Sequence, residues 1–228
     1  MIWGALFFGG SALLVVVAAP LAIASSRFLT LTVWGWAQLN RGTARWILGQ
    51  RVVVEGEMPR GAAFLVFKHE AMFETIDVML LLDRPVVFTK KELFGIPFWG
   101  YLARRYGLIP IERSAGASAL RTMRRAAQAV IAAGRPIVLF PEGTRVSHGQ
   151  SPSIRPGFAG VYKLLAMAAV PVAVDSGRLR ASGARKRWIR LPGVITYRVG
   201  ATIAPGLPRD EAEALAHIAI NALNQNVF

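Results

Sequence analysis

No cysteine occurs anywhere in the sequence, so disulfide frameworks, thiolate nucleophiles and cysteine-ligated metals are excluded at the outset. Acidic residues are scarce as well: 13 Asp plus Glu stand against 27 Lys plus Arg, a net charge of +14. Such an excess calls for an anionic partner, whether nucleic acid, an acidic carrier or an anionic membrane. Charged residues of both signs make up only 18% of the chain and hydrophobic residues 54%. Soluble averages are about 25% and roughly 45–50%, so the balance favours the membrane. The G-x-S-x-G elbow of serine hydrolases is missing, which argues against an esterase built on an activated serine. Aromatic-rich RNA-binding sequences and zinc patterns are missing too, so nucleic acid is not the expected partner. At 228 residues the chain suits one catalytic domain with a short appendage.

No charged side chain appears from Met1 to Ser26, and Ile2–Ala24 is a run of 23 mostly apolar residues. As a helix it would measure about 35 Å, enough for a bilayer core of about 30 Å. Ala22-Ile23-Ala24 resembles a signal-peptide cleavage site, but the basic segment that precedes such signals is absent, which favours a retained anchor. A second apolar stretch, Phe28–Leu39 with Trp34 and Trp36, is too short to span and suits the interface. The two form a membrane helix with an interfacial segment, arranged as a helical hairpin or as a kinked pair around Pro20 and Arg27. Arg27, Arg41, Arg45 and Arg51 all follow the anchor, so the positive-inside tendency predicts an inner-membrane protein whose catalytic domain faces the cytoplasm. Residues 1–50 are read as the anchor and 51–228 as the catalytic domain.

Beyond Arg51 the pattern changes to short apolar runs at Val52–Val54, Ala62–Phe67, Pro85–Phe88, Ile137–Phe140, Val170–Val174 and Val194–Val199, which read as strands. Helical periodicity marks Ser118–Ala133, with Gly134 as its stop, and Gly157–Ala168 and Arg209–Asn224 follow suit. Alternation of the two predicts an α/β layered sheet with flanking helices. The runs are continuous rather than alternating, so the sheet is covered on both faces.

His69 follows directly on the run Ala62–Phe67, and Glu74 lies five residues on. If Ala71–Leu82 is helical, Glu74 falls near its first turn and leans back toward His69, because helical side chains tilt toward the N-terminus. A carboxylate there can hold one imidazole nitrogen while the other takes a proton. Asp77 is the competing acid, about 12 Å from the histidine along a helix, and Glu74 is the better partner. The same position would also suit an acid that merely favours a helix N-terminus. Phe140-Pro141-Glu142-Gly143-Thr144-Arg145 turns sharply after an apolar strand and exposes a guanidinium suited to bidentate phosphate binding. Ile111-Glu112-Arg113 ends another apolar run in a charged pair. His148, in a Gly- and Ser-rich loop, reads as solvated, and His217 as flanking the last helix. The basic run from Arg178 to Arg190, interleaved with Leu179, Trp188 and Ile189, reads as a membrane-surface patch extended by Arg121, Arg124 and Arg125.

Taken in order, the blocks Lys68–Glu74, Ile109–Arg113, Pro141–Arg145 and Val170-Pro171-Val172 resemble the glycerolipid acyltransferase family, as does Lys90–Phe98. The resemblance runs from about Arg51 to Pro208, and one position departs from it, Glu74 standing where the family usually has Asp. It implies acyl transfer without an acyl-enzyme and with no metal or other cofactor. His69 is the implied general base and Glu74 its partner, acting on a lysophospholipid acceptor, lysophosphatidate in the first instance or a lyso-aminolipid. The implied donor is acyl carrier protein or acyl-CoA. Arg113 and Arg145 would grip the acceptor phosphate, Glu142 the glycerol backbone, and Gly143 and Thr144 would shape the loop.

Overall fold

Strands whose every residue is apolar have two faces to bury, and the sheet is arranged to cover both. The computed structural model describes residues 2–111, 117–179 and 190–224. Among them the sheet order is β1-β7-β6-β2-β5-β3-β4. The strands are β1 (Gln50–Glu55), β2 (Phe64–Phe67), β3 (Val86–Lys90), β4 (Ile109–Ile111), β5 (Ile137–Leu139), β6 (Ala169–Val174) and β7 (Gly193–Val199). All neighbouring pairs are parallel except β6 with β7. Along β2 successive residues alternate between two cores, as the strand period of two requires. Phe64 and Val66 pack with Phe158, Val161, Ala212 and Ala216 on one face. Leu65 and Phe67 pack with Val78, Leu82 and Tyr197 on the other.

Helices α3 (Phe73–Leu81), α4 (Trp99–Tyr106), α5 (Ala117–Ala132), α6 (Gly157–Leu165) and α7 (Arg209–Ile220) flank the sheet. The expected helix over Ser118–Ala133 is α5 within a residue. The one expected over Gly157–Ala168 ends earlier, where Ala166 adopts a left-handed conformation with φ 50. Two short elements, α4 and β4, escape a reading by periodicity because eight and three residues are too few to establish a repeat.

The N-terminal 48 residues differ from the simpler of the two expectations. Among the described residues no helix is long and apolar enough to cross a membrane. The spanning reading of Ile2–Ala24 is therefore not carried by the structure, and the hairpin alternative describes what is observed. Helix α1 (Ile2–Ala24) turns at Ser25 into α2 (Ser26–Leu48), and the two run antiparallel. Phe7 packs near Ala37, Ala22 near Leu29, and Trp36 donates its indole N–H to Ser11 Oγ at 3.0 Å. Gly10 sits where a Cβ would stand 2.9 Å from Leu39, so its smallness allows the close approach. The predicted interfacial segment Phe28–Leu39 falls in the N-terminal part of α2. On the side away from the partner, Leu13, Val16, Val17, Leu31 and Trp34 remain exposed.

The hairpin is fastened to the sheet and its helices through α3. Ile76 is buried against Phe7 and Ala37. Arg41 of α2 makes a two-pronged ion pair with Asp77, Nε to Oδ1 at 2.7 Å and Nη2 to Oδ2 at 2.8 Å. Asp77 is fully buried, and burial pushes its carboxyl above the ordinary value while the Arg41 guanidinium opposes that shift. Removing one partner strands the other charge, at a cost of about 3–5 kcal/mol for a fully buried pair. Arg41 keeps some contact with water, so we expect Arg41→Ala to lower stability by about 2–3 kcal/mol. Adding Asp77→Asn should recover part of that loss in a double-mutant cycle followed by chemical denaturation in detergent. Strict additivity would show that the pair contributes nothing.

Candidate active site

In open parallel sheets the crevice beyond the carboxyl ends of the strands gathers the functional loops. Here the three adjacent central strands, β6, β2 and β5, deliver Ser176, His69 and Glu142 to that edge. His69 is the second residue after β2. Its imidazole stacks obliquely on Phe140, with ring centroids 4.7 Å apart, and is 15% exposed. Its Nδ1 lies 2.9 Å from Glu74 Oε1.

Glu74, in the first turn of α3, is wholly buried, and such a carboxylate must be satisfied by donors. Oε1 accepts the backbone N–H groups of Glu70 at 2.6 Å and Ala71 at 2.5 Å, and Oε2 accepts the Ser176 hydroxyl at 2.7 Å. An acid already accepting from two amides leaves the imidazole to be the donor. His69 therefore carries its proton on Nδ1, and Nε2 is left with a lone pair for a proton from outside. The extra methylene of Glu over Asp is taken up in this reach. Asp77, the competing acid, points the other way to Arg41.

The Pro141–Arg145 loop is latched to His69 from both sides. His69 N–H donates to Glu142 Oε2 at 2.8 Å, and Val146 N–H donates back to the His69 carbonyl at 2.8 Å. Glu142 is buried, and its other oxygen sits 2.8 Å from Lys68 Nζ, an ion pair rather than an aligned hydrogen bond. Lys68, also fully buried, donates to the Gln150 carbonyl at 2.8 Å and to Asn221 Oδ1 at 2.6 Å. Both Glu142 oxygens thus face inward and hold the histidine turn. Gly143, at φ 67, makes the turn that returns the chain, while Thr144 and Arg145 are exposed. Arg145 borders a cavity of about 230 Å³ that Ala71, Met72 and Ser176 also line. Arg113 lies outside the described residues, as does most of the basic run, Arg180 to Ile189.

A second carboxylate–imidazole pair lies behind the first, and it corrects the reading of His148 as solvated. His148 Nδ1 is 3.0 Å from Glu70 Oε1, and Gly177 N–H donates to Glu70 Oε2 at 2.8 Å. A Cβ at Gly177 would stand 2.8 Å from that oxygen, so only glycine lets the backbone come so close. Burial pushes Glu70 up to about 8 and His148 down, so near neutrality the pair is an un-ionised acid and a neutral ring. Sequence reasoning missed Lys68, Glu70, Ser176 and His148 as parts of the site. The available signals were a lysine closing an all-apolar strand and Asp175-Ser176-Gly177, turn-forming residues at the end of β6.

The chain is similar to known proteins over most of its length. The family model described as Acyltransferase matches residues 51–175. A 1-acyl-sn-glycerol-3-phosphate acyltransferase of Pseudomonas aeruginosa is 25% identical over 98% of this chain and 80% of its own length. A protein of the same name from Cocos nucifera is 28% identical over 75% of this chain, which spans 58% of it. A lyso-ornithine lipid O-acyltransferase of Pseudomonas aeruginosa is 32% identical over 50% of this chain and 45% of its own. The crystal structure of the 1-acyl-sn-glycerophosphate acyltransferase PlsC from Thermotoga maritima shares the fold, with a TM-score of 0.69 at 20% identity, covering 98% of this chain and 91% of that one.

The Glu70 carboxyl yields a prediction whose sign is fixed. Its folded value of about 8 lies above the ordinary 4.5, so the folded state keeps a proton that the unfolded chain gives up. The resulting stability is whole below about pH 4.5 and is lost as pH rises through 8. Glu70→Gln has no proton to lose, so its melting temperature should gain on that of the wild type between pH 5 and pH 9. Parallel pH profiles for the two proteins would refute the assignment.

Proposed function

The chain belongs to the acyltransferase family, and on that premise we propose that it moves a fatty acyl group from an acyl thioester to the free hydroxyl of lysophosphatidate, yielding phosphatidate. The observation that carries the reading is the imidazole of His69, held through Nδ1 by Glu74 at 2.9 Å with Nε2 turned to the proton-accepting role. Nε2 takes the hydroxyl proton of the acceptor as its oxygen attacks the thioester carbonyl. The tetrahedral intermediate then expels the thiolate, which recovers the proton from the imidazolium. Glu74 fixes the tautomer and offsets the positive charge while it lasts.

Arg145, exposed on the loop latched to His69, is placed in this reading against the acceptor phosphate, where a planar fork of donors suits the phosphate oxygens. Arg113 is assigned the same partner from the sequence alone. Glu142, Gly143 and Thr144 hold and shape the loop that presents Arg145. The donor is acyl carrier protein or acyl-CoA, and no cofactor enters the scheme. The exposed apolar side of the hairpin supports a seat in an anionic membrane surface, which we assign to the cytoplasmic face of the inner membrane. The likeness to a lyso-ornithine lipid O-acyltransferase keeps a lyso-aminolipid acceptor as the second reading.

Purified full-length protein, offered one labelled acyl thioester and a panel of lysolipids, should acylate lysophosphatidate in preference to lyso-ornithine lipid. The reverse preference would replace the acceptor and keep the mechanism. His69→Ala should abolish transfer while the protein still folds; turnover within tenfold of wild type would sink the mechanism.

Glu74 discriminates further. Glu74→Gln substitutes a donor for one of the two oxygens that now accept four hydrogen bonds. We expect it to cost about a hundredfold or more in turnover, since loss of a triad carboxylate costs up to about four orders of magnitude. Glu74→Asp keeps the charge and should retain more activity than Gln. Were Glu74 only a favourable acid at a helix start, Gln would cost less than about 1 kcal/mol of stability and leave turnover nearly intact.

A further inference from the structure

Strands β2 and β6 leave the sheet side by side: Phe67 pairs with Val172, and Lys68 N–H donates to the Val172 carbonyl at 3.0 Å. His69 lies two residues beyond the end of β2 and Ser176 two beyond the end of β6, so the parallel register brings their turns together. Ser176 opens a short helical turn, Ser176–Leu179, that is pinned to β7. The Asp175 carboxylate accepts the Thr196 N–H at 2.7 Å and the Arg178 guanidinium at 3.1 Å, and Arg178 donates to the Val194 carbonyl at 2.8 Å. Ser176 is only 4% exposed, and its hydroxyl donates to Glu74 Oε2 at 2.7 Å. The other three donors to Glu74, the His69 ring and the amides of Glu70 and Ala71, all fall on Oε1. A fully buried carboxylate needs a donor on each of its oxygens, and for Oε2 that donor is Ser176.

We propose that Ser176 is a positioning residue for the acyl transfer, the outer member of a chain of hydrogen bonds that runs from Ser176 through Glu74 to His69. It touches no reacting atom and acts by holding Oε2, so that Oε1 stays turned to the imidazole. Oε1 is shared among three donors, two of them backbone amides in short contact. Without the grip on Oε2 the carboxylate can settle on those amides and tilt away from the ring. The imidazole then loses the acceptor that keeps its proton on Nδ1, and fewer molecules hold Nε2 ready for the acceptor hydroxyl. In a serine hydrolase the serine gives its proton to the imidazole and attacks. Here the serine donates to the carboxylate at the far end of the pair, which makes Ser176 a support and not a nucleophile. The proposal rests on the reading of His69 as general base, and it adds a residue one position beyond the matched acyltransferase region. Asp175 and Arg178, which tie the Ser176 turn to β7, extend that support to a further strand.

The test pairs steady-state kinetics with proton NMR on full-length protein in detergent micelles, its three histidines isotopically labelled. The wild type should show a downfield resonance for His69 Nδ1–H, assigned by its absence from His69→Ala. Ser176→Ala should lose that resonance and lower kcat about tenfold or more, the effect of removing one hydrogen bond to a carboxylate, with KM for both substrates within about twofold. Ser176→Cys keeps the volume and offers only a weak donor, so its kcat should fall between those of Ser176→Ala and the wild type. Ser176→Thr keeps the hydroxyl and should stay within about threefold of the wild type. A kcat for Ser176→Ala within about twofold of wild type overturns the proposal, as does an unchanged Nδ1–H resonance in that variant. A raised KM for the acceptor at unchanged kcat overturns it too, because Ser176 would then touch substrate. So does an acyl group trapped on Ser176 by rapid quench and mass spectrometry. Full turnover in His69→Ala is a different failure, that of the general-base reading, and it shows before any Ser176 variant is made.

Discussion

A carboxylate with no access to water tolerates no missing hydrogen bond, and the burial of Glu74 imposes that condition on everything around it. Its two oxygens collect donors from the His69 ring, two backbone amides of the Glu70–Ala71 turn and the Ser176 hydroxyl. Those donors come from the ends of two neighbouring strands and the start of one helix. The turn after β2, the turn after β6 and the entry to α3 are thereby fixed relative to one another. Lys68 and Glu142 add the end of β5 to the same frame from the other side of His69. The imidazole, which bonds Glu74 and stacks on Phe140, is thus oriented by three strands at once.

The same helix is gripped again three residues further on. Glu74 and Asp77 project from α3 within one turn of each other, one toward the histidine and the other toward Arg41 of the hairpin. One turn of α3 thus carries both the anchor of the hairpin and the carboxylate that holds His69. Glu70 and His148 form a comparable brace between the loop that carries Arg145 and the Ser176–Gly177 turn. Because burial keeps that brace un-ionised near neutrality, it adds no charge of its own beside the Glu74 carboxylate.

What the sequence made legible follows from how local each signal was. Continuous apolar runs at Ala62–Phe67, Ile137–Phe140 and Val170–Val174 predict buried strands; β2 and β5 lie within theirs, β6 begins one residue before its run, and the three are neighbours at the centre of the sheet. The pairing of His69 with Glu74 was readable because both lie on one turn and one helix start. Glu142 was identified, but its inward direction was not, since that depends on Lys68 approaching from an adjacent strand. His148 reads in the sequence as a solvated loop residue because its partner Glu70 is 78 positions away. The apolar N-terminus offered both a spanning helix and a hairpin, and length with hydropathy alone could not tell them apart. The choice lies in Gly10 and Ser11 meeting Leu39 and Trp36, contacts that composition does not encode.

Only Gly49 separates the end of α2 at Leu48 from the start of β1 at Gln50. It caps the helix in the left-handed conformation at φ 66 and hands the chain straight to a strand paired with β7 over six residues. No tether intervenes, so hairpin and sheet are joined through one residue and through the contacts of α2 with α3. In mechanical terms the hairpin is an outrigger and not a mooring line. The height of His69 above whatever surface the hairpin rests on is set by the skeleton of the protein and does not fluctuate with a linker.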